Sequence, residues 1–386
     1  MGLEVREISA PRVGRFKVYI QGDLKHKQFV VLTVHDLGCN HSMWTNFLSH
    51  YSMEEITKRA AFIHVDVPGQ EDEAPDLPAD YTFPTMQSLG EDLVCVLDQL
   101  DVKQVVGLGE GAGANIILRF ALAQPGRVLG ACLIHCTGQQ ANFMESMKEK
   151  MNTWKLDQIG MNPTAEAYLV VHRFGTVSKP SAVRKVILLD QKFAVLQNFE
   201  KAQNKDQLDI VIEGFQQSLR SKINPKNLKR FVHAYLTRSN VMDVIGKLRC
   251  QVLMVTGTKA SFNKSVHALF DTMRKNIDKK LVDFLEVDGV ANVLEEKPDR
   301  FAETFLFFLQ GLGLVGGVPM PRVQRSASIG ECGTPPGRTR SMSMEEADQP
   351  TRIYSKSPPK YSTSPVAIST SAPMEDSPVA SSPPKS

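Results

Sequence analysis

The sequence predicts an α/β protein with a mostly parallel sheet, helices on both faces, a helical cap inserted over one edge and a disordered C-terminal tail. Three observations lead to this prediction. Short apolar segments alternate with amphipathic helical segments along residues 1–315, as in sheets that helices cover on both faces. A long stretch of helical pattern interrupts this alternation at about 140–245. Residues 316–386 are rich in proline and serine.

Six segments of strand length have the apolar, β-branched composition of buried parallel strands. They are FVVLTVHD (29–36), AAFIHVDV (60–67), KQVVGLG (103–109), VLGACLIHC (128–136), CQVLMVTG (250–257) and VDFLEVDG (282–289). The segment FKVYIQGD (16–23) is predicted to add an antiparallel edge strand. Amphipathic spacing predicts a helix at 87–100. A second helical segment, 112–123, begins in small residues and becomes apolar, and a proline suited to a first helical turn begins a third at 298–310.

The stretch at about 140–245 is interpreted as a cap over the carboxyl edge of the sheet, where open α/β sheets bind ligands. The domain prediction is therefore one folded unit over 1–315, with this insertion, and a tail over 316–386. From Pro319 onward the chain carries 12 of its 22 prolines and two aromatic residues. Such a segment buries too little apolar surface to offset its ordering entropy, so it is expected to be disordered.

Charge and hydropathy exclude several function classes. The formal net charge of +3 gives no electrostatic basis for a nucleic-acid partner. No apolar run approaches the length of a transmembrane helix, and the N-terminus lacks the apolar core of a secretory signal. Most of the six cysteines lie in apolar runs, as in proteins of reducing compartments. These patterns predict a cytoplasmic location.

The segment VVGLGEGAGANIILRFALAQPGRV (105–128) runs from a strand through a glycine-rich turn into a helix. In the α/β-hydrolase fold this context carries the G-x-S-x-G nucleophile elbow. Reading GLGEG (107–111) as that pentapeptide places Gly109, which has no side chain, at the nucleophile position. The same glycines fit a dinucleotide fingerprint, but no acidic residue ends the next strand, so no cofactor is expected.

The acid and base of a hydrolase triad are also missing from their expected positions. The segment VTGTKAS (255–261) matches the acid-bearing strand end, with Ala260 at the acid position. The segment DGVANVLEEKP (288–298) matches the loop of the base, which falls on Ala291 counting from Pro298 or on Val290 counting from Gly289. The triad order is nucleophile, acid, histidine, yet no histidine follows His267. The sequence therefore predicts that the protein is not an enzyme.

Polar residues near the predicted strand ends offer a candidate pocket, and a displaced acid–base set is the rival enzyme hypothesis. The candidates are His35, Asp36, Asp66 and Glu110, with His41 and His64 nearby. Asp36 stands where the oxyanion loop of hydrolases usually has glycine. Their spacing matches no metal-binding motif, so no metal is expected. The alternative is that these groups are hydrogen-bonded core residues.

Several landmarks occur together in one order along the folded part. They are HDLGCNH, VPGQEDEAPDLPADYTFPTMQSLGEDLVCVLDQL, KQVVGLGEGAGANIILRFAL, RVLGACLIHC, LRCQVLMVTG and FLFFLQGLG. This pattern resembles the N-myc downstream-regulated (NDR) family, and RSAS (325–328) resembles its basophilic phosphorylation segment. The resemblance implies a catalytically inactive α/β-hydrolase fold, cytoplasmic residence and functions in signalling, stress response or differentiation.

The tail holds two kinds of predicted phosphorylation site. Arginines at upstream positions favour basophilic kinases at Ser326, Ser328 and Ser343, and a following proline favours proline-directed kinases at Thr334, Ser357, Ser364, Ser377 and Ser382. The functional hypothesis is a non-catalytic signalling or adaptor protein with protein partners and a phosphoregulated tail. The alternatives are a lipid or small-molecule sensor that uses the capped pocket, and a hydrolase with displaced catalytic groups.

Overall fold

Strands and helices alternate through the parts of the chain that the computed structural model describes, which are residues 2–139, 161, 163–175 and 207–316. Within these ranges eight strands form one sheet in the order β1-β2-β4-β3-β5-β6-β7-β8. The strands are β1 (Leu3–Ala10), β2 (Gly14–Gln21), β3 (Phe29–Val34), β4 (Ala60–Asp66), β5 (Val105–Glu110), β6 (Val128–Ile134), β7 (Gln251–Gly257) and β8 (Val282–Val287). Strand β2 is antiparallel to both of its neighbours, β1 and β4. The other neighbouring strands in the sheet pair in parallel.

The described helices lie between and after these strands. They are α1 (His41–Leu48), α2 (Glu54–Arg59), α3 (Met86–Gln99), α4 (Ala112–Ala123), α5 (Pro163–Phe174), α6 (Gln207–Ser221), α7 (Pro225–Leu236), α8 (Asn263–Asn276), α9 (Val293–Glu296) and α10 (Pro298–Gly311), with short 3₁₀ turns at Tyr51–Met53, Met242–Lys247 and Lys279–Leu281. None of the helices in the described ranges is long and apolar enough to cross a membrane.

Two apolar cores cover the two faces of the sheet. On one face, side chains of α3, α4 and α8 pack with strand residues such as Leu32. On the other face, α1 and α10 pack with strand residues such as Val31. Neighbouring residues of a strand point to opposite faces, so β3 is buried on both sides along its whole length. This two-sided burial is the physical reason that the inner strands are near-continuously apolar.

The six predicted parallel strands and the three predicted helices are confirmed, with ends that differ by a few residues. The prediction of an edge strand at 16–23 is wrong in its position. The corresponding strand β2 is antiparallel, but it lies between β1 and β4, and β1 forms the edge. Most residues of β1 are exposed, so its sequence lacks the apolar run that marked the other strands.

The chain between β6 and β7 holds the predicted cap, and the structure describes part of it. Helices α5, α6 and α7 lie in this insertion. Residues 140–160, 162 and 176–206 of the predicted cap lie outside the described residues, as does the tail after Gly316 with its predicted phosphorylation sites. The described insertion helices contact the loops that follow β3 and β4, which places them above the carboxyl ends of the parallel strands.

Candidate functional site

The turn between β5 and α4 is formed by Gly111. Its φ of 53° and ψ of −111° lie in a region that glycine adopts without steric cost. The sequence prediction placed the elbow at Gly109, but that residue lies inside β5, and a Cβ there would be 2.6 Å from the Ala114 nitrogen. Two overlapping G-x-G-x-G patterns, 107–111 and 109–113, occur in this segment. The second one matches the elbow, so the nucleophile position is Gly111.

The carboxylate of Asp36 lies directly over this turn. The backbone N–H of Ala112, the first residue of α4, donates to Asp36 Oδ1 at 2.8 Å. The backbone N–H of Leu37 also donates to this carboxylate. In α/β-hydrolases the oxyanion hole is built from the N–H after the nucleophile and an N–H of the loop after β3. The donors of that hole are thus present here, and they bind a carboxylate of the same chain.

A third donor to Asp36 comes from the insertion. His172, on α5, places its Nε2 atom 3.0 Å from Oδ2 and 3.1 Å from Oδ1. Both side chains are almost completely buried. Burial alone would raise the pKa of Asp36, but the charge and hydrogen bond of His172, with the N–H groups of Ala112 and Leu37, lower it below the usual value. Asp36 is therefore ionised at neutral pH.

Asp36 also fills the space in which a nucleophile would stand. A Cβ built on Gly111 would overlap the carboxylate atoms of Asp36. A serine side chain begins at Cβ, so the present arrangement of Asp36 excludes one at this position. At the elbow, Gly111 therefore has no side chain, and the Asp36 carboxylate occupies the space that a side chain at 111 would need.

Glu110 belongs to a second polar cluster. Its Oε1 atom accepts a hydrogen bond of 2.7 Å from Asn292 Nδ2, and Arg173 lies 3.7 Å from Oε2. Arg173 also binds Glu295 at 2.8 Å and donates to the Cys39 sulfur. Burial raises the pKa of Glu110 to about 7 although the positive charge of Arg173 opposes this shift. The cluster joins α5 to the loop after β8.

His35 is held by backbone groups on both sides of its ring. The Val67 N–H donates to Nε2 at 3.0 Å, so Nε2 is an acceptor and Nδ1 carries the proton that is donated to the Asp36 carbonyl at 2.8 Å. Burial lowers the pKa of this imidazole. His35 is consequently a neutral residue that connects the loops after β3 and β4, with neither nitrogen available to a substrate.

The four predicted pocket residues are all buried. Asp66 binds His41, accepting from its backbone N–H and from Nδ1 at 2.8 Å. It therefore anchors the start of α1. The side chains of His35, Asp36, Asp66 and Glu110 each bind other groups of this chain. None of the four lines the cleft between α1, α6 and α9. Among the described residues no group of histidine, cysteine, aspartate or glutamate side chains could hold a metal ion.

The residues predicted at the acid and base positions, Ala260 and Ala291, lie in adjacent loops after β7 and β8. The Lys259 N–H donates to the Val290 carbonyl at 2.9 Å and joins the two loops. They carry the methyl groups of Ala260 and Ala291, and Gly175 of the insertion packs against the Ala291 methyl group. Neither position offers a group that could accept or donate a proton.

Sequence reasoning missed three residues of this region, which are His172, Arg173 and Asn292. The first two lie in an ordinary helical pattern of the insertion, and no motif links them to the elbow. His172 is 136 positions from Asp36, and only the folded chain brings the two together. Asn292 had a weak signal, because it follows the predicted base position and caps α9 by accepting from the Glu295 N–H.

Comparison with known proteins identifies the family of this chain. The sequence profile of the Ndr family matches residues 6–316. The chain belongs to the Ndr family. This confirms the resemblance to the NDR family found in the sequence.

Two relatives illustrate how far the likeness of this Ndr chain extends. It is 36% identical over 355 residues to the Caenorhabditis elegans protein named Uncharacterized protein ZK1073.1, covering 91% of this chain and 94% of the relative. It is 32% identical to Protein NDRG1 of Xenopus tropicalis over 327 residues, covering 81% of this chain and 72% of the relative.

Solved structures establish the fold of the Ndr chain. A thermophilic esterase from Thermogutta terrifontis matches with a TM-score of 0.58 and 18% identity, covering 80% of this chain and 99% of the esterase. An enol-lactonase from Burkholderia xenovorans matches with a TM-score of 0.56 and 14% identity, covering 77% and 96% of the two chains. The protein therefore has the α/β-hydrolase fold, as the sequence predicted.

Proposed function

We propose that this Ndr-family protein is a non-catalytic signalling or adaptor protein, in which the α/β-hydrolase fold serves as a scaffold and the tail is regulated by phosphorylation. One observation carries the non-catalytic part. The carboxylate of Asp36 binds the oxyanion-hole donors over Gly111, where both the nucleophile and the reacting carbonyl oxygen would lie in a hydrolase.

The chemistry of acyl transfer explains why this arrangement argues against turnover. The reaction needs a nucleophile, a base that takes its proton, and donors that stabilise the developing oxyanion. Gly111 and Ala291 supply neither nucleophile nor base. The donors are present, but an anion already occupies them, and a second negative oxygen would be repelled. Removing one core triad member can lower turnover by about a millionfold.

The rival hydrolase with displaced groups finds little support in the geometry of His35 and Glu110. Both ring nitrogens of His35 bind backbone groups. Glu110 is 1% exposed and binds Asn292. A general base must reach the proton that it abstracts, and these two groups are enclosed by protein.

Regulation through the tail rests on its charge and its acceptor residues. Residues 319–386 hold eight lysines and arginines and six acidic residues, a net charge of +2. Each phosphate adds about −1.5 to −2, so two phosphates reverse the sign. Such a reversal would release the tail from acidic partners or recruit partners that carry arginine clusters. Basophilic and proline-directed kinases are the proposed modifying enzymes.

A sensor of a lipid or small molecule is the second candidate, and a cleft beside the site favours it. The cleft lies between α1, α6 and α9, and its lining includes Met43, Arg173, Phe215 and Glu295. It therefore combines apolar surface with a buried cation. A ligand that raises the melting temperature without being turned over would support this candidate.

The experiment that tests the absence of catalysis compares wild type with Gly111→Ser on a panel of p-nitrophenyl esters. Neither protein is expected to exceed the rate of a heat-denatured control, because a serine at 111 overlaps Asp36 and lacks a base. The variant should also melt at a lower temperature, whereas Gly126→Ser, at an open position, should not. Ester turnover by the wild type that saturates with substrate would overturn the proposed function.

A further inference from the structure

The donors around Asp36 come from three separate parts of the fold. The Ala112 N–H is at the start of α4, the Leu37 N–H follows β3, and His172 lies on α5. Helix α4 has 12 residues, and its first N–H groups carry partial positive charge. All of these groups act on the same carboxylate. This convergence is typical of a binding site for a small anion rather than of a single surface salt bridge.

We propose that these donors form a carboxylate-binding site, that the side chain of Asp36 is its resident ligand, and that free formate or acetate binds there once this side chain is removed. The inference rests on the non-catalytic function proposed above, because a working hydrolase would keep these donors open for its substrate. It extends that function by assigning a ligand class to the site.

The size and burial of the site select a small planar monoanion. Asp36 is 3% exposed, so a ligand in its place is enclosed by protein and can be little larger than the carboxylate itself. Gly111 contributes no Cβ to this volume. A phosphate or sulfate ion is tetrahedral and carries additional oxygens for which these donors provide no partners. Formate reproduces the head group of Asp36, and acetate adds the equivalent of its Cβ.

Loss of the Asp36 side chain is expected to destabilise the fold, and a free carboxylate is expected to reverse that loss. Removing Asp36 leaves the Ala112 N–H and His172 Nε2 buried without an acceptor among the described residues. Buried donors without partners destabilise the folded state. A free carboxylate that restores those hydrogen bonds binds the folded protein and not the unfolded chain, so it raises the melting temperature. In the wild type the tethered carboxylate is always present, and an added anion has no place to bind.

The test uses the full-length chain as wild type, Asp36→Ala and Asp36→Asn. Melting temperatures are measured in increasing sodium formate or acetate, with sodium chloride at equal ionic strength as the reference. Asp36→Ala should gain about 2 to 6 °C in formate over chloride and approach a plateau. Wild type should show no such gain. Asp36→Asn should behave like wild type, because its amide still fills the volume.

A second measurement applies if Asp36→Ala does not fold in ordinary buffer. The variant is then refolded from urea in formate or chloride, and recovery is followed by near-ultraviolet circular dichroism. Recovery that increases with formate alone supports the site. Equal responses to formate and chloride, or a response of Asp36→Asn as large as that of Asp36→Ala, overturn the inference. Either result leaves the ester assay unaffected, so the two proposals fail separately.

Discussion

Two buried carboxylates near the elbow show how single residues acquire opposite electrostatic properties from their surroundings. Asp36 accepts from two backbone N–H groups and from His172, and its pKa lies below the usual value despite burial. Glu110, the buried last residue of β5, accepts one hydrogen bond from the Asn292 amide and lies 3.7 Å from Arg173. Burial therefore dominates, and its pKa rises to about 7.

The raised pKa of Glu110 predicts a pH-dependent stability. A folded pKa of about 7 against an ordinary 4.5 means that the folded protein binds more protons than the unfolded chain between these values. The contribution of Glu110 to the free energy of unfolding is present below pH 4.5 and is lost as pH rises through 7. Glu110→Gln should therefore be more stable than wild type at pH 8, by about 3 kcal/mol at most, with a smaller difference at pH 5.

Urea denaturation at the two pH values measures this effect. Glu54→Gln, at an exposed position of α2, serves as the control and should change stability little at either pH. A Glu110→Gln variant that is less stable than wild type at pH 8 would mean that attraction to Arg173 outweighs the cost of burying the charge.

Sequence reasoning identified the altered hydrolase elbow but misplaced its central residue. The overlapping glycine patterns at 107–111 and 109–113 are equivalent by composition, and only the backbone conformation of Gly111 distinguishes them. The substitution of Asp36 for a glycine was visible in the sequence. Its partner His172 was not, because a contact across 136 positions leaves no periodic or local signal.

At the scale of elements, the insertion helices are joined by a partly buried ion pair. Arg220 of α6 donates to both oxygens of Glu166 on α5, at 2.7 and 2.6 Å. The Glu166 side chain is 3% exposed, whereas that of Arg220 is 56% exposed. Val170, Phe174 and Ile212 form a small apolar cluster between the same two helices.

Arg220→Ala should destabilise this pair of helices by about 1 to 3 kcal/mol, because it leaves a buried carboxylate without its cation. Hydrogen exchange should show faster exchange of the α5 amides, and urea denaturation should give the loss of stability. The matched control is Arg300→Ala, which removes an exposed pair with Glu303 and should cost less than about 0.5 kcal/mol. Indistinguishable effects of the two substitutions would contradict a stabilising function of the Arg220–Glu166 pair.

The sequence predicted the inner strands better than it predicted the edge strand β1. Strands β3 to β7 lie between two apolar layers, and their composition follows from that burial. The edge strand β1, LEVREISA, is exposed at six of its eight positions, so polar side chains are as acceptable there as apolar ones. Strand β1 is defined by its antiparallel pairing with β2 along eight residue pairs. The hydrophobic pattern of the sequence does not reveal this pairing.

At the scale of the whole molecule, the family match and the described fold both end at 316. A chain truncated after Val318 should therefore melt within about 2 °C of the full-length protein, because the composition of the tail predicts that it contributes little to folding. Its set of bound partner proteins should be reduced, if the tail is the regulated element. Differential scanning fluorimetry and affinity purification from stimulated cells measure the two effects.

Two further variants separate folding from regulation. Truncation before Pro298 removes α10, whose Phe301 and Phe305 are completely buried, and should abolish folding. The full-length Ser326→Ala, Ser328→Ala, Ser343→Ala variant should fold like wild type and lose the same partners as the chain truncated after Val318. A partner set identical to that of wild type would remove these serines from the proposed regulation.

The overlap between the Asp36 carboxylate and a Cβ at Gly111 also constrains how this site can change by mutation. If Gly111 is replaced by serine first, the new side chain overlaps Asp36. If Asp36 is lost first, the Ala112 N–H and His172 Nε2 lose their acceptor. Each step alone lowers stability, and neither yields activity while Ala291 is unchanged. Since proteins lie just above a stability threshold, a lineage with this pair can recover a nucleophile only through coupled substitutions. Under the proposed non-catalytic function, the site is thus protected against reversal by a single substitution.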